Sequence, residues 1–153
     1  MALGTGSTLT LKLRSADGTP FALEDYRGHD SVFVYFMRTI SCAQCNAAVR
    51  TLASQKAELE AEGVQVVVAV PDDAADALAW KMKREVPFPV VVGQDGTAHA
   101  EAGLLRKVFG AIQQSGGALV DKQGVVRYSH VSTNPGASYQ KADLAAAIAT
   151  LPA

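Results

Sequence analysis

The sequence predicts an α/β fold with a mixed central sheet, helices on both faces and an N-terminal β-hairpin, and three observations lead there. Short β-branched runs alternate with longer segments of helical period. The runs "SVFVYF" (31–36) and "VQVVVAV" (64–70) show no polar alternation, so both faces of each strand are covered, as in the interior of a sheet flanked by helices. The chain then closes on a hairpin pattern and one more helix, which adds antiparallel strands to parallel ones. No repeat or shift of composition divides the 153 residues, so a single domain over 1–153 is expected.

Taken in order, "LTLKLR" (9–14) alternates apolar and polar and ends at Asp17-Gly18, a hairpin-type turn, with a second extended segment in "TPFALEDYRG". Ser31 to Phe36 is a buried central strand. Ser41 to Glu62 reads as one helix, because Cys42, Cys45, Val49, Leu52 and Leu59 recur at helical spacing and Gly63 supplies the stop. Val64 to Val70 is the next strand. Pro71-Asp72-Asp73 opens a helix containing Leu78, Trp80 and Met82. "VPFPVVVGQDG" gives a proline-bounded strand and "AHAEAGLLRKVFG" a short helix or helical turn. "GALVDKQGVVRYSHV" reads as two strands joined at Lys122 to Gly124, and Ala142 to Leu151 as an alanine-rich closing helix.

Composition narrows the function classes. A net charge of −1 gives no broad attraction to nucleic acid or anionic membrane. No apolar run approaches the roughly 18 to 20 residues that span a bilayer, and "MALGTGSTLTLKLR" lacks the order of a signal peptide, so a cytoplasmic location is expected. In a reducing compartment two cysteines spaced Cys-x-x-Cys point to redox chemistry or metal rather than to stapling.

The chemistry concentrates in "FMRTISCAQCNAAV" (36–49). A thiol is mostly protonated at neutral pH and reacts only when a helix N-terminus, a cation or hydrogen bonds lower its pKa. Cys42 falls at the first turn of a helix, where free N–H groups and the dipole favour an anion. Arg38 is close in sequence, and the Thr39 hydroxyl can donate to a thiolate or to a substrate oxygen. Cys45 lies one turn further on the same face, at a spacing that permits a disulfide. Cys42 is then the attacking thiol and Cys45 the resolving one, against either a peroxide or a substrate disulfide. Two alternatives stand beside this reading. The cysteines can be packed apolar residues, or half of a zinc site, for which His29, His99 and His130 are scattered and unpaired. Asp72 and Asp73 read as a helix cap and Trp80 as core.

From Leu9 to Leu151 these segments resemble the peroxiredoxin-like family of the thioredoxin fold, the alkyl hydroperoxide reductase and thiol-specific antioxidant type. "SVFVYFMRTISCAQC" resembles its active-site strand and loop, "FPVVVGQDGTAHAEAGL" its Phe-Pro strand and Asp-x-Gly segment, and "ALVDKQGVVRYSHV" its late hairpin. The resemblance implies a thioredoxin-like fold with Cys42 in the peroxidatic position and Thr39 as the threonine of the Pro-x-x-x-Thr-x-x-Cys signature. It also implies a hydroperoxide substrate, a thiol reductant such as thioredoxin, no cofactor, and a fold that often forms homodimers. Two positions depart from the pattern: Tyr35 stands where the signature has proline, and Ser115 where the family has an arginine that polarises the peroxide. Arg38 and Arg127 are the candidates to supply that charge. The Arg-Thr-x-x-Cys-x-x-Cys arrangement is also similar to the selenoprotein-U-related group. A dithiol-disulfide reductase and a non-catalytic redox-fold binding module therefore remain alternatives to the peroxidase.

Overall fold

The protein is described by a computed structural model covering residues 3–152. The first strand, β1 (Leu13–Ser15), is short, and a single 3-10 turn (Leu23–Tyr26) leads to β2 (Ser31–Phe36). Helices α1 (Ala43–Ser54) and α2 (Lys56–Ala61) precede β3 (Val64–Ala69), and α3 (Ala74–Arg84) precedes β4 (Val90–Gly93). Then come α4 (Ala98–Ala102), the short pair β5 (Arg106–Lys107) and β6 (Ile112–Gln113), the long pair β7 (Ser115–Val120) and β8 (Val126–Ser132), and α5 (Lys141–Ala149).

Six strands form one mixed sheet in the order β1-β4-β3-β2-β7-β8, and β5 and β6 form a separate ribbon. β2 lies parallel to β3 and antiparallel to β7, with Ser31 opposite Val64 and Phe36 opposite Gly116. Side chains alternate across a strand, so β2 feeds two cores. Phe33, Tyr35 and, just beyond, Met37 pack with Cys42, Cys45, Leu52, Trp80 and Leu144 on one face. Val32, Val34 and Phe36 pack with Leu9, Leu11, Leu13, Ala98 and Leu104 on the other. Each such large apolar side chain contributes roughly 1.5–3 kcal/mol on burial. The result is a mixed central sheet with helices packed against it, as the sequence predicts.

Three details differ from the sequence-based expectation. The N-terminal hairpin is reduced to one bridge, Arg14 to Pro20, and β1 pairs instead with β4. Pro20 has no N–H to extend that ladder, and the Lys12 N–H donates to Glu101 Oε1 at 3.0 Å. The helix expected over Ser41 to Glu62 is two helices meeting at Gln55. Thr51 Oγ1 donates to the Ala47 carbonyl at 3.1 Å and Ser54 Oγ to the Thr51 carbonyl at 2.6 Å, and such back-bonding bends a helix. The segment after Ala98 is helical only to Ala102, stops at the left-handed Gly103, and continues as the β5–β6 ribbon.

Two adjacent glycines in β7 are fixed by close approach. A Cβ on Gly117 would sit 2.3 Å from the Phe33 ring, and one on Gly116 would sit 2.0 Å from the His130 carbonyl oxygen. Gly116 faces Phe36, so this tight seam runs to the end of β2 from which the reactive loop departs.

Candidate active site

The loop between β2 and α1 is held at Met37, Arg38, Thr39, Ile40 and Cys42. The Met37 N–H donates to the Ala69 carbonyl at 3.0 Å, and the Met37 carbonyl lies 2.6 Å from His99 Nε2. Asp72 receives the Thr39 hydroxyl at 3.0 Å on one oxygen and the Ile40 N–H at 3.1 Å on the other. Asn46 donates its amide to the carbonyls of Ile40 at 2.9 Å and Cys42 at 2.8 Å. Its oxygen receives the Trp80 indole N–H at 2.9 Å.

This scaffold sets Cys42 as the N-cap of α1, with extended backbone angles and a sulfur that accepts the Cys45 N–H at 3.2 Å. A sulfur in the place normally held by a serine or aspartate oxygen takes one of the free N–H groups of the helix end, and negative charge there is favoured. Burial raises the Cys42 pKa, yet hydrogen bonds from Cys45 and from Arg38, together with the Arg38 charge, outweigh it and hold the thiol below its ordinary value. Cys45 moves the opposite way, pushed up to about 11 by burial and by the neighbouring Cys42. Its sulfur receives the Arg38 N–H at 3.4 Å. Both cysteines are free thiols and both are buried. The pair is thus split into one thiol disposed to ionise and one disposed to keep its proton.

Tyr35, at the family's proline position, is fully buried on the same face. Its hydroxyl and that of Ser138 are 2.6 Å apart, and the Ser138 hydroxyl also donates to the Pro135 carbonyl at 2.8 Å. Burial raises the tyrosine pKa far above its ordinary range, with the cysteines adding to the effect.

The structure brings Arg38, Cys42 and Cys45 together. Thr39 is adjacent, but the proton of its hydroxyl is directed to Asp72. Ser115, at the family's arginine position, is fully buried, and its hydroxyl has no hydrogen-bond partner among the described residues. Arg127 is removed from the site. Its Nε donates to Asp121 at 2.6 Å, next to Val126, which aligns through Val120 with Val32 at the opposite end of β2 from Phe36, about 13 Å of strand away. Arg38 is the candidate guanidinium that remains. Of the two aspartates read as a cap, Asp73 does cap α3 by accepting the Asp76 N–H at 2.9 Å, while Asp72 binds the loop.

Sequence reasoning missed Asn46, weighed His99 only as a scattered metal ligand and assigned Asp72 to the helix alone. A polar residue buried at helical spacing after Cys42 was the one available signal for Asn46. Among the described residues there is no group of three His, Cys, Asp or Glu able to hold a metal ion, and no helix is long and apolar enough to cross a membrane.

Comparison with known proteins places this geometry. The profile of the AhpC/TSA family matches residues 7–129. A chloroplastic peroxiredoxin Q of Oryza sativa subsp. japonica is 27% identical over 116 residues, covering 76% of this chain and 53% of the relative. That of Triticum aestivum is 25% identical over the same length and coverage. The chain therefore spans about half the length of these curated relatives. Among solved structures, the peroxidoxin BcpB of Mycobacterium tuberculosis superposes with a TM-score of 0.77 at 20% identity, covering 97% of this chain and 98% of that one. Peroxiredoxin Q of Xanthomonas campestris gives 0.70 at 20% identity, covering 93% and 90%. A structure described as a thiol:disulfide interchange protein, DsbE, of Chlorobium tepidum gives 0.73 at 22% identity, covering 95% and 99%. At these identities the likeness is one of fold.

Proposed function

Given that the chain belongs to the AhpC/TSA family, we propose that it is a thiol-dependent peroxidase in which Cys42 attacks and Cys45 resolves. The observation that carries this reading is the opposite displacement of the two thiols at the N-terminus of α1. The Cys42 thiolate attacks the terminal oxygen of a hydroperoxide; the O–O bond breaks, Cys42 becomes a sulfenic acid, and the alkoxide takes a proton and leaves as an alcohol. The Cys45 thiol then condenses with the sulfenic acid, forming the Cys42–Cys45 disulfide and releasing water. A dithiol reductant of the thioredoxin type reduces that disulfide and closes the cycle. The cytoplasm is the proposed location, since the return step needs a reducing compartment.

Arg38 has two roles in this scheme: it holds Cys42 as thiolate and places positive charge where the departing oxygen becomes negative. Ser115 offers no such charge, so the reaction rests on one guanidinium. The test is coupled turnover. Reduced protein with thioredoxin, thioredoxin reductase and NADPH should consume hydrogen peroxide and an alkyl hydroperoxide, and Cys42→Ser should abolish consumption. No peroxide-dependent oxidation of NADPH by the wild type would refute the proposal.

The placement of both cysteines within one turn at a helix N-terminus also favours a second reading, a dithiol-disulfide reductase. It predicts reduction of insulin disulfides with little response to peroxide. The lowered Cys42 pKa is the observation that speaks against a non-catalytic binding module.

A further inference from the structure

Next to the loop that leads to Cys42 lies a cavity of about 220 Å³ whose lining includes Arg38, Thr39, Asp72, Arg106 and Gln113. Two guanidiniums and one carboxylate meet there. Asp72 turns its charge into the loop, with one oxygen on the Thr39 hydroxyl and the other on the Ile40 N–H. The arginines are not neutralised in the same way. Among the described residues the Arg106 guanidinium hydrogen-bonds the Gly110 carbonyl, at 3.4 Å, and no carboxylate. Arg38 Nε is buried with no hydrogen-bond partner among the described residues. Among the described residues neither arginine forms an ion pair, so the positive charge lining the cavity is available to an anion from outside the chain.

Arg38 belongs both to this cavity and to the surroundings of the Cys42 sulfur, on which its guanidinium acts by hydrogen bond and by charge. Arg106 reaches the cavity from the β5–β6 ribbon, a separate element whose tip holds Val108 and Phe109 in the left-handed region and exposed to solvent. Planar guanidiniums suit a planar oxyanion, which they can bind with paired hydrogen bonds.

We propose that the Arg38–Arg106 cavity is an anion subsite that seats the carboxylate of the molecule reacting at Cys42, which makes short carboxylate-bearing hydroperoxides the preferred oxidants. The oxidant assignment rests on the peroxidase reading; the anion subsite does not. Arg106 is a specificity-determining residue in this scheme, carried on the β5–β6 ribbon rather than on the loop that leads to Cys42 and matched to the carboxylate end of the substrate.

The experiment compares pairs of reagents that differ only in charge. N-iodoacetyl-β-alanine and its methyl ester alkylate Cys42 by displacing iodide, and the ratio of their rates reports carboxylate recognition without any peroxide chemistry. The wild type should favour the acid over the ester relative to glutathione under the same conditions. Arg106→Gln should lower that preference by about fivefold, the scale of one partly exposed charge pair. Arg106→Lys should restore part of it, and Lys107→Gln, which alters the same ribbon outside the cavity, should leave the ratio at the wild-type value. Rising salt should erase the preference. A ratio equal in wild type and Arg106→Gln, or equally lowered by Lys107→Gln, overturns the subsite. The second pair is a short hydroperoxy acid and its methyl ester, with the acid expected to oxidise Cys42 faster. If neither peroxide oxidises Cys42 while the alkylation preference holds, the peroxidase reading fails and the subsite stands. If both oxidise it equally and the alkylation preference is absent, the subsite fails and the peroxidase reading stands.

Discussion

The Trp80 indole N–H donates to Asn46 Oδ1 at 2.9 Å, and the same asparagine donates to the carbonyls of Ile40 and Cys42. A residue of α3 thereby fixes the loop that carries the attacking thiol, through one amide able to accept and donate at once. Removing either partner leaves buried polar groups without bonds. Asn46→Ala should cost about 2–3 kcal/mol and Trp80→Phe about 2 kcal/mol. Urea denaturation with an unchanged m-value checks both, and faster Cys42 alkylation in Asn46→Ala checks that the loop has loosened.

His99 makes stability depend on pH. It is fully buried, its Nε2 lies 2.6 Å from the Met37 carbonyl, and burial lowers its pKa from 6.5 to about 4, with the Arg106 charge adding to the effect. The folded state keeps the imidazole neutral between those values while the unfolded state takes up a proton. Its contribution is therefore present above pH 6.5 and lost as pH falls towards about 4. The loss is on the order of 3 kcal/mol. Unfolding free energy measured from pH 7 to 4.5 should fall in the wild type and flatten in His99→Gln.

Arg38→Met keeps the length of the side chain and removes its charge. The Cys42 thiol should then titrate higher, because the hydrogen bond and charge of Arg38 are among the influences that lower it. Alkylation by iodoacetamide at pH 7 should slow by roughly tenfold, the worth of one charge-assisted hydrogen bond. An unaltered rate–pH profile would remove Arg38 from the site.

The glycine seam predicts two graded losses. Gly117→Ala forces its methyl group against the Phe33 ring and should cost about 1–3 kcal/mol, since a side chain can give way. Gly116→Ala meets backbone, the His130 carbonyl, and should cost more by disturbing the β7–β8 ladder. Thermal unfolding of the two variants under identical conditions checks the order.

The parts of the structure written in local pattern were legible in the sequence. β2 and β3 were visible because both faces are covered and their runs are apolar throughout, and Cys42 was placed at a helix start because a strand and a helical period meet there. The parts written in long-range contact were not. Trp80 meets Asn46 across 34 residues and His99 meets Met37 across 62, and neither spacing leaves a periodic trace. The β5–β6 ribbon was hidden for another reason. Its tip sets Val108 and Phe109 at φ 53°, a conformation that their side chains disfavour, so the local residues argued against the turn that forms. Arg106, carried on that ribbon, was missed with it.

The most direct test of the central claim is the intact mass and free-thiol count of reduced protein after one equivalent of hydrogen peroxide, in wild type, Cys42→Ser and Cys45→Ser. The wild type should lose two hydrogens and both thiols as the Cys42–Cys45 disulfide forms. Cys45→Ser should gain one oxygen as a sulfenic acid that dimedone traps, and Cys42→Ser should stay unchanged. A wild type that keeps both thiols, or a Cys42→Ser protein that is oxidised as fast as the wild type, would contradict the assignment of Cys42 as the attacking thiol.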